Sequence, residues 1–350
     1  MNGPNEQPGT LLLFARDPGS ANQVLALYEM LTDQISGARP DSDSPVASLV
    51  RRLATGRSIS DIRVAASRAA LALLGDAGIA VEDWDSVRDI DAISARLADG
   101  QVAEIVTGLS DRDDRTPQKL WFAAKALGAR TTALLDDTTV AHRMARADLD
   151  QRFRLPDGEL VLPSVIAAID DQSRNALIAA GITADTITVI GHLHIHRFRR
   201  IAADMPEDSV RALRESWGAQ DSDHVVLFAS EPLREMAAEG KQRDVDELAV
   251  LTDLLERIRV GDPITTNREP DSTIVVVRPH PREDDSKFAA LPHDMKPRTL
   301  VSRDGSSAQA ILAADTVVGI SSMMLVEAAS IGRPAHSMID FDPAAAACPF

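Results

Sequence analysis

A single cysteine, Cys348, stands in 350 residues, so neither an internal disulfide nor a thiolate metal site can be built. Aromatic residues make up only 3%, and the core has to be assembled from Ala, Leu, Val and Ile. Ala-rich helices packed on Val/Ile strands suit that supply. No apolar run approaches the ~18 residues that a membrane helix needs. The polar opening, Met1 to Gly9, lacks the apolar centre of a secretory signal, and a cytoplasmic location is the default expectation. Positive charge is short as well: 37 Lys and Arg stand against 53 Asp and Glu, a formal net charge of −16. A surface of that sign repels phosphate backbones, which excludes nucleic acid as an expected partner. An anionic substrate therefore needs a local basic pocket.

The 44% hydrophobic content is that of a globular chain, and the length fits two domains. Apolar runs alternate with helical spacing. Thr10 to Ala15 reads as a buried strand, broken by Asp17-Pro18-Gly19-Ser20 and followed by a helix over Ala21 to Gln34. Gly37 to Pro45 reads as a loop. Strands follow at 62–66, 102–107, 131–135, 159–162 and 186–190, with helices over 68–77 and 116–127. The charged helical stretch 199–222 is the expected hinge. A second alternating set begins at 223, with strands at 225–229, 273–277, 299–301, 316–320 and near 334–338. Its helices cover 245–259, a segment from Ser306, and 323–331. Such alternation predicts parallel sheets with helices on both faces. The expected domains are 1–198 and 223–350. A doubly wound domain ordinarily closes with another helix, so the ending AAAACPF suggests a truncated domain.

Five constellations can carry chemistry. Asp17, Gly19, Ser20 and Asn22 follow the first strand, where open α/β sheets bind ligands and a helix N-terminus offers free N–H groups. Arg278, His280 and Arg282, set between prolines after the strand TIVVV, form a basic loop suited to phosphate or carboxylate. Ser321 and Ser322 cap the helix after the strand ending at Ile320, and Glu327 on its first turns can accept hydrogen bonds from ribose hydroxyls. Asp136 and Asp137 end a strand of the first half and can supply a general base; Asp136 directly follows the strand, and only one of two adjacent residues faces a given side. Finally, His192, His194 and His196 would share a face if extended. No carboxylate or cysteine completes a metal set, so a single functional histidine, His192, is preferred and no metal is expected.

Together these residues resemble the GT-B glycosyltransferase superfamily, α/β proteins of two Rossmann-like domains facing each other across a cleft. "VVVRPHPRE" and "ADTVVGISSMMLVEAASIGRP" look like the His-Pro and Ser-Ser motifs of bacterial sialyltransferases and capsule Kdo transferases; related patterns occur in glycerophosphate polymerases and sugar-nucleotide 2-epimerases. The resemblance implies that His280, Ser321 and Ser322 hold the nucleotide and its phosphate and that Glu327 contacts the ribose. "LFARDPGSANQVLALYEML" looks like the opening strand–loop–helix of the superfamily, and "ITVIGHLHIHRF" like the last strand of its N-terminal domain. "LLDDTT" resembles the Asp-Asp-Gly motif that supplies the base in sialyltransferases, with Thr138 in place of the glycine. The implied function is metal-independent sugar transfer in polysaccharide or glycoconjugate biosynthesis. The substrate would be a nucleotide-sugar donor, with no cofactor, and the acceptor a glycan or small molecule. Alternatives are a non-hydrolysing 2-epimerase, whose paired-glycine and double-glutamate signature is missing beside Ser322, or an inactive sugar-nucleotide-binding paralogue. Donor base, sugar, acceptor and oligomeric state are left open.

Overall fold

The computed structural model describes residues 9–38, 44–109, 114–136, 152–238, 245–261, 269–289 and 297–346. Asp137 and Thr138 lie outside them. The chain divides into two compact units, one ending at His194 and the next starting at Ile195. That boundary lies just ahead of the stretch 199–222, which carries the end of helix Leu193–Ala203 and helix Glu207–Ser216. No helix among the described residues is long and apolar enough to cross a membrane.

The first unit is a seven-stranded sheet. Its strands are β1 (Thr10–Ala15), β2 (Ile62–Ala66), β3 (Val81–Asp83), β4 (Val102–Gly108), β5 (Arg130–Leu134), β6 (Val165–Ala168) and β7 (Ile187–Val189), in the order β3-β2-β1-β4-β5-β6-β7. The second has five strands: β8 (His224–Ala229), β9 (Thr273–Arg278), β10 (Arg298–Val301), β11 (Thr316–Gly319) and β12 (Ala335–Ser337), in the order β10-β9-β8-β11-β12. Every pairing is parallel. In both units the order reverses beside the first strand, between β1 and β4 and between β8 and β11. Such switch points open a crevice at the carboxyl ends of the strands.

Both faces of each sheet are buried, which is why the central strands are continuous apolar runs rather than alternating ones. Leu11 and Leu13 of β1 join one core and Leu12 and Phe14 the other. In β8, Val225 and Leu227 face one side and Val226 and Phe228 the other. Each such side chain contributes about 1.5–3 kcal/mol on full burial.

Several sequence expectations need correction. Residues 159–162 are not a strand: Leu160 makes only an isolated antiparallel bridge to Arg154, around a turn holding Pro156 and Gly158, and the strand of that region is β6. The loop expected over 37–45 ends at a helix, Pro45–Ala54, in which Pro45 takes the first position and Ser44 Oγ accepts from the Ala47 N–H. Asp17-Pro18-Gly19-Ser20 does end the strand, but the helix starts at Pro18 rather than Ala21, with Asp17 as its N-cap and Pro18–Ser20 in its first turn. The histidine triplet is not extended. β7 ends at Val189, Gly191 turns the chain at φ 84°, and a helix starts at Leu193. His194 and His196 thus project about 200° apart, so the three rings do not share a face.

Candidate functional site

In the first unit, Asp17 and Ser20 serve each other. Asp17 Oδ1 accepts the Ser20 N–H at 2.9 Å, and the Ser20 hydroxyl donates to Asp17 Oδ2 at 3.0 Å. Ser20 is fully buried, so its hydroxyl caps the helix rather than facing a ligand. Asn22 is half-buried on the same turn. The close approach is at Gly19, where a Cβ would stand 2.6 Å from Asp136 Oδ2 and 3.2 Å from Asp17 Oδ1. The structure therefore brings Asp136, at the end of β5, onto the N-terminus of helix 18–36. Asp136 shares that helix start with the carboxylate of the N-cap residue Asp17. Gln23, which the sequence did not single out, anchors this arrangement: it is buried, and its Nε2 donates to the Leu135 carbonyl at 3.1 Å. His192 is buried beyond β7, two strands over from β5, with its ring edge-on to His194 at 6.1 Å.

In the second unit the loops after three adjacent strands are tied together by carboxylates. After β9, the His280 backbone N–H donates to Glu283 Oε2. After β8, the Ser230 hydroxyl donates to Glu283 Oε1 at 2.8 Å. Glu231 then reaches across to the loop after β11, where the Ser321 N–H and hydroxyl both donate to its carboxylate, the hydroxyl at 3.0 Å. Ser322 caps helix Met323–Ser330, accepting from the Met324 N–H at 3.3 Å. Glu327 is buried on that helix and lies within electrostatic range of Arg278.

His280 Nδ1 accepts the Arg282 N–H at 3.1 Å, which assigns the proton of the neutral ring to Nε2. Burial, offset in part by Glu283, holds its pKa below the usual histidine value, and Arg282 and Arg303 act in the same direction as burial. At neutral pH the ring is thus an uncharged donor through Nε2. Arg278 is less available than the sequence implied, since its guanidinium donates to the Asp304 and Gly305 carbonyls at 2.8 and 2.7 Å. Arg282 is exposed on the turn. Arg303, unnoticed in the sequence, holds the His280 loop by donating to the His280 and Glu283 carbonyls at 3.2 and 2.7 Å.

Glu235, Glu247 and Glu283 present oxygens within 4.8 Å of one another, a spacing that suits a cation. The cation there is Lys287, whose Nζ lies 3.2, 2.5 and 2.5 Å from the three carboxylates. The chain's own ammonium thereby takes the central position of the cluster and offsets one of its three formal negative charges.

No protein-family profile and no curated protein sequence matches the chain. Solved structures do. The UDP-GlcNAc 2-epimerase of Neisseria meningitidis bound to UDP-GlcNAc aligns at 12% identity and a TM-score of 0.59, covering 97% of this chain and 85% of that one. The UDP-GlcNAc 2-epimerase of Methanocaldococcus jannaschii aligns at 12% and 0.58, covering 95% and 84%. The HepE protein of Anabaena, in complex with UDP and glucose, aligns at 15% and 0.57, covering 94% and 80%. At these identities the likeness is one of fold, and the fold of this chain is the GT-B type of two Rossmann-like units.

Proposed function

We propose that the chain is a glycosyltransferase that moves a sugar from a nucleotide-sugar donor to an acceptor hydroxyl, in polysaccharide or glycoconjugate biosynthesis. The observation that carries the reading is the gathering of His280, the Ser321–Ser322 helix start and Glu327 at the carboxyl ends of β9, β8 and β11. Ser321 already holds an oxyanion there, the Glu231 carboxylate. A diphosphate takes over those donors, or uses the neighbouring helix N–H groups beside Ser322, with Nε2 of His280 as a further donor. Glu327 receives the ribose. Stabilisation of the leaving phosphate by a helix end and neutral donors requires no metal. The first unit binds the acceptor, and Asp136, at the start of helix 18–36, takes the proton of the attacking hydroxyl. The UDP and UDP-sugar in the structural neighbours make UDP-linked donors the first to test.

A second reading, a sugar-nucleotide 2-epimerase, is favoured by the extent of the backbone match to such enzymes. One experiment separates the two. Asp136→Asn is expected to keep donor affinity while cutting turnover by about 10²–10⁴, the usual contribution of a positioned base, with free nucleotide and sugar configuration both followed by NMR. Acceptor-dependent nucleotide release supports transfer. Inversion at C2 without an acceptor overturns it in favour of the epimerase. Binding with neither reaction leaves a binding module.

A further inference from the structure

The sequence motifs account for two strand-end regions, but a third collects more positive charge than either. A cavity of about 220 Å³ opens at the carboxyl ends of β1 to β4 in the first unit. Five of its lining residues are cationic: Arg16, Arg68, Arg88, Arg115 and Lys119. Among the described lining residues only Asp85 and Asp114 oppose them, leaving these residues a formal charge of +3 (five minus two) inside a chain of −16.

Both acids are engaged by the protein itself through one oxygen each, and Asp114 Oδ2 is buried with no hydrogen-bond partner among the described residues. Asp114 pairs with Arg16 and accepts from the Thr116 N–H and hydroxyl at 2.9 and 2.7 Å. Asp85 Oδ1 accepts the Arg68 backbone N–H at 2.8 Å. Among the described residues, the charged groups of Arg68, Arg88, Arg115 and Lys119 have no carboxylate within ion-pair distance. Arg88 Nε and Lys119 Nζ bond only to carbonyls, those of Asp85 and Arg88. Arg115 Nη1 is buried without a hydrogen-bond partner among the described residues. Arg16 is held below its ordinary pKa by burial first, then by the nearby Arg68 and Arg88.

Two helices, Ala69–Asp76 and Thr116–Ala126, begin at this cavity, and neither receives a side-chain hydrogen bond from its N-cap residue, Arg68 or Arg115. Their N-terminal dipoles add to the positive field. Arg68 also stands at φ 52°, a backbone state that a non-glycine residue adopts at a cost.

We propose that this pocket is an anion site for a phosphate group, free or esterified to a small polar molecule. The guanidinium forks match phosphate geometry. The volume lies below the ~300–1,000 Å³ of sites for drug-sized ligands, which suits a phosphate with little attached rather than a whole nucleotide sugar. The proposal stands on the first unit alone and does not depend on the transferase reading.

The test is titration of the full chain with inorganic phosphate and, separately, glucose 6-phosphate, at constant ionic strength, by calorimetry and ³¹P NMR. Ser321→Ala with Ser322→Ala is expected to leave this binding unchanged. Arg68→Gln with Arg88→Gln, both at exposed positions, is expected to weaken it by roughly tenfold or more per guanidinium removed, with an unchanged melting temperature without ligand. Tighter binding of glucose 6-phosphate identifies the ligand as an ester, and equal binding identifies phosphate itself. The proposal is overturned if neither probe binds, if binding survives Arg68→Gln with Arg88→Gln, or if it is lost in the serine variant instead.

Discussion

The two units place the same topology under different kinds of control at their strand ends. In the second, the loops after β9, β8 and β11 are joined through carboxylates: Glu283 accepts from Ser230 and His280, Glu231 accepts from Ser321, and Lys287 pairs with Glu283. In the first, the contacts are made by close backbone approach. Gly108, the last residue of β4, lets helix 18–36 descend onto it, and Gly19 lets Asp136 reach the helix start. Charge that is self-paired leaves a site that a ligand enters by exchanging partners. Charge with no carboxylate partner among the described residues, as at Arg68 and Arg88, leaves one that is open to an anion. The same architecture therefore offers two proposed anion sites of different character.

The largest expected effect comes from breaking the charge-tied unit. Lys287→Met removes the ammonium from three carboxylates, two of which, Glu247 and Glu283, have completely buried side chains. Leaving such charges unpaired costs about 3–5 kcal/mol. Hydrogen exchange should show β8 and β9 losing protection while β1 to β5 keep theirs, and adding Glu247→Gln should restore part of the loss. Uniform loss across both units would refute the contrast.

The sterically fitted unit has its own breaking point, and the second unit supplies the control. Gly108 and Gly319 occupy equivalent places, at the ends of the strands that flank β1 and β8 at the switch points. A Cβ on Gly108 would stand 2.1 Å from Ser20 Cβ and 3.0 Å from its Cα, whereas on Gly319 the nearest atom, the Ala229 carbonyl oxygen, is 3.0 Å away and the next 3.5 Å. Overpacking by Gly108→Ala should cost about 1–3 kcal/mol; Gly319→Ala should cost less. Urea unfolding of the two variants measures the difference, and equal losses would show that close approach is not particular to the first unit.

How much of this was legible in the sequence follows from the physics of each element. β1, β2 and β9 were read almost to the residue, because central parallel strands buried on both faces are unbroken apolar runs. β3, the tripeptide Val81–Asp83, carries no such signal, and helix Pro45–Ala54 was hidden by a proline that starts helices as readily as it ends them. The histidines showed a period of two that the turn at Gly191 cancels. At the site, Ser321, Ser322, His280 and Asp136 were visible because they follow strands directly. Glu231 and Glu283 also follow strands, but acids there look like ordinary solvated caps until their partners are known. The cationic pocket draws Arg16, Arg68, Arg88, Arg115 and Lys119 from four stretches of chain, and no local pattern announces that they converge. The one available signal was position, since Arg16 and Arg68 stand at strand ends and Arg115 just before a helix.

The smallest expected effect separates the two anion sites by pH. The folded pKa of His280 is lowered, by burial before anything else. A group of that kind contributes stability that is present above its unfolded value near 6.5 and lost as pH falls toward the lowered folded value. His196, lowered by burial and by Arg199, acts in the same direction, so the ligand-free protein should weaken on acidification through that window. A phosphate near Nε2 favours the imidazolium, so nucleotide binding takes up a proton over the same range. Affinity should then rise as pH falls, by at most about tenfold per pH unit for one linked proton. Subtracting the profile of His280→Gln from that of the wild type cancels the nucleotide's own titration. The first-unit pocket has no histidine among its described lining residues, so phosphate binding there should be flat once the ionisation of phosphate is removed. A difference profile without slope would remove His280 from the nucleotide site, and a sloping one in the first unit would mean that a histidine, and not the arginine cluster, holds the anion there.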